Sequence, residues 1–281
     1  MNPLTRKAML VRMSIHSWRG RKIDRNAAKA AAAAMNIEVG GDEYYKFLVP
    51  KPAFKPIMNL HTTIRLYHAS LTFPWFDDGL RVLPAAKFFE YTQRMHVLKD
   101  EQNKYVEEFL SNYEQYKAYA RANRQLVFNE KDYPSIDELR DSFSVELNFL
   151  PFPDANDFRV ELDSETLNEL KAQVVSEQSR VIKLHRDEML GRLTLKLYRL
   201  WDMCEAPTVR IYDATVDTFK ETVEMAENLN VMEDSKIKTV VAACKTWLTS
   251  INPETLRNRP EIRGRVVDAA KEILEILKDG S

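Results

Sequence analysis

The densest group of side chains that could bind a ligand lies near the N-terminus, in residues 17–22, Ser-Trp-Arg-Gly-Arg-Lys. Guanidinium and ammonium groups bind phosphates, and an indole ring can stack on a base, so this pattern is typical of sites that hold single strands without sequence preference. Gly20 lets a phosphate backbone approach the chain closely. With the basic residues nearby, the pattern predicts a nucleic-acid site formed by Arg12, Trp18, Arg19, Arg21, Lys22, Arg25 and Lys29.

The charge distribution agrees with such a surface but leaves a second interpretation open. Residues 1–69 carry 12 Lys and Arg against 4 Asp and Glu; since the whole chain has 41 basic and 42 acidic residues, residues 70–281 carry 29 and 38. This asymmetry indicates either a basic binding surface opposed to an acidic body or head-to-tail self-association into a homo-oligomer. In the second interpretation Trp18 packs into the core, and the basic residues are solvated or meet the acidic body of a neighbouring subunit or protein partner.

Other chemistries find little support in the sequence. The five histidines are scattered; His61 and His68 lie on one side of a predicted helix, but no ligand at i+4 completes a metal pair. Asp77 and Asp78 precede Gly79 and have the pattern of a turn. The motifs of P-loop phosphate binding, serine hydrolases, zinc proteases and zinc fingers do not occur. We therefore predict that the protein is not an enzyme and needs no cofactor or metal.

The cysteines and the hydropathy bear on cellular location. Cys204 and Cys244 each lie inside an apolar helical pattern, which predicts two buried thiols in a reducing compartment. No apolar run approaches the roughly 20 residues that span a bilayer. Arg6, Lys7 and Arg12 interrupt the apolar residues where a signal peptide would have its core. These features predict a cytoplasmic protein without membrane contact.

Residues 142–162 contain the clearest strand signal. Apolar and polar residues alternate in residues 143–149 and again in residues 158–162, while prolines and an Asp-Ala-Asn-Asp run between them turn the chain. A two-stranded hairpin is marginal alone, so we expect the N-terminal strand, residues 9–16, to pair with residues 143–149. The aromatic residues 72–76 are expected to plug the core, with a stacking platform as the alternative.

Two long helices are predicted on either side of this hairpin, at residues 85–125 and 163–205. In the first, apolar and aromatic residues recur at 3- and 4-residue steps over about five heptads, as in a coiled-coil seam. We expect the two helices to pack as an antiparallel pair that buries Leu98 and Leu184. A shorter helix is expected to start near residue 57, after three prolines that break up its approach.

Together these elements predict an α+β fold that is predominantly helical. It comprises a small antiparallel sheet (the N-terminal strand plus the central hairpin), two long helices and a helical C-terminal part. We expect residues 1–205 to form an α+β body with the basic N-terminal segment and the long helix pair, and residues 206–281 to form the helical C-terminal part.

Several motifs resemble a family of uncharacterised bacteriophage and prophage proteins, over residues 9–200. The motifs are Leu10-Val11-Arg12-Met13-Ser14-Ile15, Trp18-Arg19-Gly20-Arg21-Lys22, Phe73-Pro74-Trp75-Phe76-Asp77-Asp78-Gly79, Leu83-Pro84-Ala85, Asp132-Tyr133-Pro134-Ser135 and Phe149-Leu150-Pro151-Phe152-Pro153-Asp154. The resemblance implies a phage-encoded protein of the bacterial cytoplasm, expressed with genes of DNA replication, recombination or ATPases. The family has no assigned function, so no catalytic residue is carried over.

Three functional hypotheses follow. The first is a non-enzymatic, oligomeric phage protein that acts in DNA metabolism by binding or annealing single-stranded DNA. The second is a helical protein-interaction module, an adaptor or inhibitor of a host factor or an AAA-type ATPase. The third, an assembly scaffold, rests on the coiled-coil seam alone. Salt separates the first two, because phosphate contacts weaken steeply with ionic strength and an apolar helix interface does not.

Overall fold

The protein has the predicted α+β fold with a large helical majority. The structure, a computed structural model, describes residues 4–36, 44–75, 79–124, 128–154, 163–206, 210–247 and 251–278. The described strands are β1 (Ala8–His16), β2 (Arg21–Ile23), β3 (Tyr45–Phe47), β4 (Phe73–Pro74), β5 (Leu80–Pro84) and β6 (Ser144–Pro151). The described helices are α1 (Leu4–Lys7), α2 (Arg25–Met35), α3 (Lys51–Ser70), α4 (Phe88–Ser111), α5 (Tyr113–Asn123), α6 (Ile136–Asp141), α7 (Ser164–Glu205), α8 (Asp213–Leu229), α9 (Ser235–Trp247), α10 (Pro253–Asn258) and α11 (Pro260–Lys278), with two 3₁₀ turns at Ala85–Lys87 and Glu130–Asp132.

The chain forms two compact units whose segments alternate along the sequence. The first unit comprises Met1–Arg12, Ala69–Phe89 and Asn148–Ser281, and the second comprises Met13–His68 and Glu90–Leu147. The chain therefore passes from one unit to the other four times. The division predicted after residue 205 falls inside the first unit, between α7 and α8, which share one hydrophobic core.

A four-stranded sheet has the order β4-β5-β1-β6. β1 pairs antiparallel with β5, from Ala8 opposite Pro84 to Arg12 opposite Leu80. The predicted neighbour relation between the N-terminal strand and the strand near residue 143 is confirmed by β1 and β6. The second strand of the predicted hairpin, residues 158–162, lies outside the described residues.

The aromatic stretch after α3 supplies the short strand β4, which pairs with β5. Phe73 of β4 pairs with Val82 of β5, and both side chains are buried, which explains why this short segment takes part in the sheet. Pro74 is tolerated because β4 is an edge strand, where a missing N–H costs no ladder bond. Trp75 is buried and meets Phe152 edge-on with ring centroids 4.7 Å apart, as expected of a core plug.

The helical core of the first unit is built around α7, which packs chiefly on α8 and α11. Met189, Leu193, Leu197 and Leu200 form an apolar stripe on α7, and all four side chains are buried in this core. Leu184 is 55% exposed, so the prediction that it lies in a buried seam is wrong.

Two prolines in the C-terminal part start helices. Pro253 opens α10 and Pro260 opens α11, positions at which a helix needs no N–H donor. None of the described helices is long and apolar enough to cross a membrane.

In the second unit, α3 packs against α4 through two buried histidines. His61 Nε2 lies 3.0 Å from the Gln102 side-chain oxygen, and His68 Nδ1 lies 2.8 Å from the Tyr91 hydroxyl. Both imidazoles therefore have hydrogen-bond partners in the core. Leu98 on α4 is buried, as predicted. α4 therefore packs on α3 within the second unit, and α7 packs chiefly on α8 and α11 within the first. The pairing of the two long helices with each other stays a prediction.

The predicted single helix over residues 85–125 is broken at Asn112 into α4 and α5. The Asn112 side-chain amide donates to the Glu108 carbonyl at 2.8 Å, and its backbone N–H bonds the Phe109 carbonyl in a tight turn. Asparagine competes with the helix ladder in this way, and its backbone leaves helical geometry here. The continuous coiled-coil seam is consequently interrupted at this residue.

Candidate functional site

The basic turn of residues 17–22 leads into a two-stranded antiparallel ribbon in the second unit. Its cross-strand pairs are Arg21 with Phe47, Lys22 with Lys46 and Ile23 with Tyr45. Gly20 precedes the ribbon with a φ of 61°, and its carbonyl accepts the Leu48 N–H at 2.8 Å. An added Cβ would lie 3.2 Å from a Val49 methyl carbon, so both the left-handed backbone and the close packing favour glycine here.

Asp132 forms ion pairs with two lysines of this ribbon. Lys22 and Lys46 stand directly opposite each other, an arrangement that destabilises a strand pair. The Asp132 carboxylate lies 2.7 Å from each ammonium nitrogen. Burial alone would raise the pKa of Asp132, but the hydrogen bonds from both lysines outweigh burial and hold that pKa below its ordinary value. The ribbon is therefore held together by a buried carboxylate shared by two cations.

Trp18 is fixed by a cluster of aromatic rings. Its ring centroid lies 6.3 Å from that of Phe54, 6.1 Å from that of Phe109 and 6.1 Å from that of Tyr113. The contacts with Phe54 and Tyr113 are edge-to-face, a favourable geometry for aromatic pairs. Trp18 remains only half-buried. It therefore anchors the turn to the core while part of its indole still faces solvent.

One face of α3 continues the basic surface. Lys55, Met58 and Arg65 follow each other at helical spacing and are exposed, Met58 to 47%. α3 begins at Lys51, six residues earlier than predicted, because Pro52 lies in the first turn and its missing N–H costs nothing there. Pro56 removes one later backbone bond, and the buried apolar face of the helix compensates for that loss.

The turn, the ribbon and α3 enclose an open groove of about 820 Å³, which we call the basic groove. It is lined by Ile15, Ser17, Trp18, Arg19, Gly20, Arg21, Phe47, Val49, Pro50, Lys51, Pro52, Phe54, Lys55, Met58, His61 and Arg65. Five of these residues are cationic, and none of the described lining residues is acidic. The remaining lining is mostly aromatic or apolar. The groove thus combines a positive rim with an apolar floor.

Comparisons with protein-family models, with curated proteins and with solved structures find no match to this chain. The positive rim and the apolar floor of the basic groove are therefore the features that bear on function. The resemblance to bacteriophage proteins stays a prediction.

The positive charge of the basic groove comes from lysine and arginine alone. His61 lines the floor of the groove. Burial lowers the pKa of its imidazole, and this effect is larger than the opposite effect of the hydrogen bond to Gln102. Its imidazole is therefore neutral at neutral pH and adds no charge. Among the described residues, none forms an ion pair or a hydrogen bond with the side chains of Arg19, Lys55 or Arg65.

The structure places the seven predicted site residues in three groups. Trp18, Arg19 and Arg21 line the basic groove. Lys22, paired with Asp132, and Arg25 line a neighbouring cleft described below, and Lys29 lies one turn further along α2. Arg12 lies on β1 in the first unit and is not part of either depression. The Arg21 guanidinium lies over the Tyr45 ring, 4.4 Å from its centroid.

Three residues on the rim of the groove were not among the predicted site residues: Lys51, Lys55 and Arg65. The helix was expected to start near residue 57, which left Lys51 and Lys55 in an irregular segment. A helix running through Pro52 and Pro56 puts Lys51, Lys55 and Arg65 near one face, and that spacing was the available signal.

The cysteines and the possible metal ligands in the described part of the chain do not form a reactive site. Cys204 and Cys244 are buried, as predicted, and burial raises their pKa values to about 11 and about 12. Both thiols are therefore protonated at neutral pH and poor nucleophiles. Among the described residues, no group of three His, Cys, Asp or Glu side chains could hold a metal ion.

Proposed function

We propose that this protein binds single-stranded DNA in the basic groove and has no catalytic activity there. The observation that carries the proposal is the lining of the groove, in which five cations surround an apolar floor and no described lining residue is acidic. Lysine and arginine at the rim complement phosphates, whose release of counterions drives binding. An apolar floor with an accessible indole edge complements the flat faces of bases.

The groove favours single strands over duplexes. In a duplex the base faces are stacked on each other and only the phosphates are available, so the apolar floor would stay uncovered. In a single strand the bases can turn towards Trp18, Met58 and the prolines while the phosphates follow the rim. The Lys51 ammonium lies over the Phe47 ring, 4.5 Å from its centroid, and covers that ring.

The test is fluorescence anisotropy of a labelled oligothymidine over a salt series. Wild type is compared with a groove variant, Lys55→Ala/Arg65→Ala, and with a control variant, Lys183→Ala/Arg199→Ala, which removes the same charge from exposed positions on α7. Each lost phosphate contact lowers the slope of log affinity against log salt by about 0.7 for a single strand. We expect the groove variant to lose about 1.4 units of slope and the control variant to match wild type.

Two results would overturn the proposal. If the wild-type protein does not bind the oligothymidine at low salt, the expected ligand of the groove becomes an acidic segment of a protein partner, as in the adaptor hypothesis. Equal slopes for groove and control variants would mean that binding follows net charge and not this groove. A duplex of the same sequence should bind more weakly than the single strand.

The oligomeric state and the phage origin remain parts of this proposal that rest on the sequence. Size-exclusion chromatography with light scattering, with and without the oligonucleotide, reports the mass of the protein and of its complex. A monomer in both conditions would remove the homo-oligomer from the proposal and leave the groove argument unchanged.

A further inference from the structure

A second depression lies beside the basic groove, and we call it the ribbon cleft. It has a volume of about 670 Å³. It is lined by Arg19, Arg21, Lys22, Ile23, Asp24, Arg25, Asn26, Tyr45, Lys46, Asn129 and Asp132. All of these residues belong to the second unit, as do those of the basic groove. The two depressions therefore form parts of one surface.

Arg19 and Arg21 line both depressions and form the ridge between them. The backbone under this ridge is held by Gly20, whose carbonyl accepts the Leu48 N–H at 2.8 Å, and by the packing of Trp18 below it. A chain of phosphates leaving the basic groove at this point meets cations on both sides of the ridge.

The two acidic residues of the ribbon cleft are already used by the fold. Asp24 caps α2, accepting the backbone N–H groups of Asn26 and Ala27 at 3.1 and 3.0 Å. Asp132 is shared by two lysines of the ribbon. These carboxylates are thus engaged inside the fold, whereas Arg25 at the start of α2 is exposed. Lys29 lies four residues along the same helix face and is also exposed.

We infer that a bound single strand does not end in the basic groove but crosses the Arg19–Arg21 ridge and continues through the ribbon cleft towards Arg25 and Lys29. This inference rests on the proposed function and extends the same site. The ligand is a single-stranded nucleic acid longer than the basic groove can hold.

The two halves of this path make different contacts. The basic groove offers apolar and aromatic surface for bases. In the ribbon cleft the Tyr45 ring is covered by the Arg21 guanidinium, and the other lining residues are mostly polar or charged. The cleft therefore holds phosphates, and its contribution to binding is electrostatic and independent of the base sequence.

The experiment measures the salt slope for two lengths of oligothymidine, about 5 and about 20 nucleotides, since single-strand sites of single folds span roughly 4–16 nucleotides. The proteins are wild type, the groove variant Lys55→Ala/Arg65→Ala, the control variant Lys183→Ala/Arg199→Ala and a cleft variant, Arg25→Ala/Lys29→Ala. Alanine suits the cleft variant because α2 is already alanine-rich and alanine has the highest helix propensity, so folding is preserved.

We expect the cleft variant to bind the short oligonucleotide like wild type and the long one with a slope lower by about 1.4 units, two phosphate contacts at about 0.7 each. The groove variant should weaken binding of both lengths. If the cleft variant matches wild type on the long oligonucleotide while the groove variant still weakens both, the path ends at the ridge and this inference is wrong, although the proposed function stands. If wild type binds neither length, both fail.

Discussion

Replacing Asp132 by asparagine should increase the salt dependence of DNA binding. In the protein this carboxylate lies 2.7 Å from the ammonium groups of Lys22 and Lys46, and its side chain is only 7% exposed. Asparagine keeps the shape and one acceptor but removes the negative charge. The positive charge of this group then rises by one on the wall of the ribbon cleft, beside the proposed path of the phosphates. Lys22 loses its carboxylate partner, whereas Lys46 keeps a contact with Asp24 at 3.8 Å.

The magnitude follows from the single negative charge that is removed. One additional phosphate contact steepens the slope by about 0.7 units, so lowering the salt from about 200 mM to about 50 mM should strengthen binding by Asp132→Asn roughly 2.6-fold more than binding by wild type. The same change should destabilise the fold by roughly 1.5–3 kcal/mol, because a hydrogen bond to a charged group is lost and two cations face each other. Since the pKa of Asp132 is lowered on folding, its contribution to stability is present above the carboxyl's unfolded pKa and disappears as the pH falls through the folded value.

The assay pairs the anisotropy salt series with chemical denaturation. Glu130→Gln is the matched control, since Glu130 lies in the same 3₁₀ turn and is paired with Lys117 and Arg121, neither of which lines the groove or the cleft. A slope for Asp132→Asn equal to that of wild type would show that the released lysines do not reach the strand. An equal increase for Glu130→Gln would attribute the effect to net charge.

Three further predictions concern stability. Leu98→Ala should cost roughly 2–5 kcal/mol because Leu98 is buried, whereas Leu184→Ala at an exposed position should change the free energy of unfolding by less than about 0.5 kcal/mol; equal effects in chemical denaturation would contradict these burial values. Gly20→Ala should cost roughly 1–3 kcal/mol, since alanine at φ 61° is strained, and a neutral result would mean that the turn relaxes without loss. Burial is the main reason why the pKa of His185 is lowered to about 4, so in acid the unfolded state binds a proton that the folded state does not. The free energy of unfolding should therefore fall by about 1.4 kcal/mol per pH unit as the pH drops from about 6.5 towards about 4. His185→Gln should remove that part of the pH dependence, and an unchanged dependence would show that this imidazole is protonated in the folded state.

Local patterns of the sequence predicted most of the elements but few of their partners. The apolar stripe of α7 and the alternation in β1 are properties of neighbouring residues, so periodicity alone reveals them. α7 packs chiefly on α8, the next helix in the chain, and on α11, a choice that the periodicity within each helix does not determine. The break at Asn112 depends on one side-chain hydrogen bond to Glu108, a competition that hydrophobic periodicity does not register.

In the candidate site too, local sequence patterns revealed some of the residues, and others could be recognised only from the fold. Composition alone marked Arg19 and Arg21 as binding residues, and they form the ridge of the surface. Lys55 lies on a regular helix face only because α3 starts before Pro52, in a segment where three prolines led us to expect an irregular approach, whereas Arg65 lies within the predicted helix. The role of Asp132 could not be predicted, since it comes from more than a hundred residues away to neutralise Lys22.

The alternation of the two units along the chain has a consequence for how the protein is made. Leu10 of β1 is buried in one cluster with Val181 of α7, so the N-terminal strand emerges from the ribosome long before its packing partner exists. Until then the apolar face of this strand is exposed unless another surface covers it. Contacts between residues so far apart in sequence also form slowly. Truncation at any single point between residues 13 and 147 removes segments from both units at once. The second unit is therefore complete once Leu147 has been made, whereas the first unit, which starts earlier in the chain, also needs Asn148–Ser281.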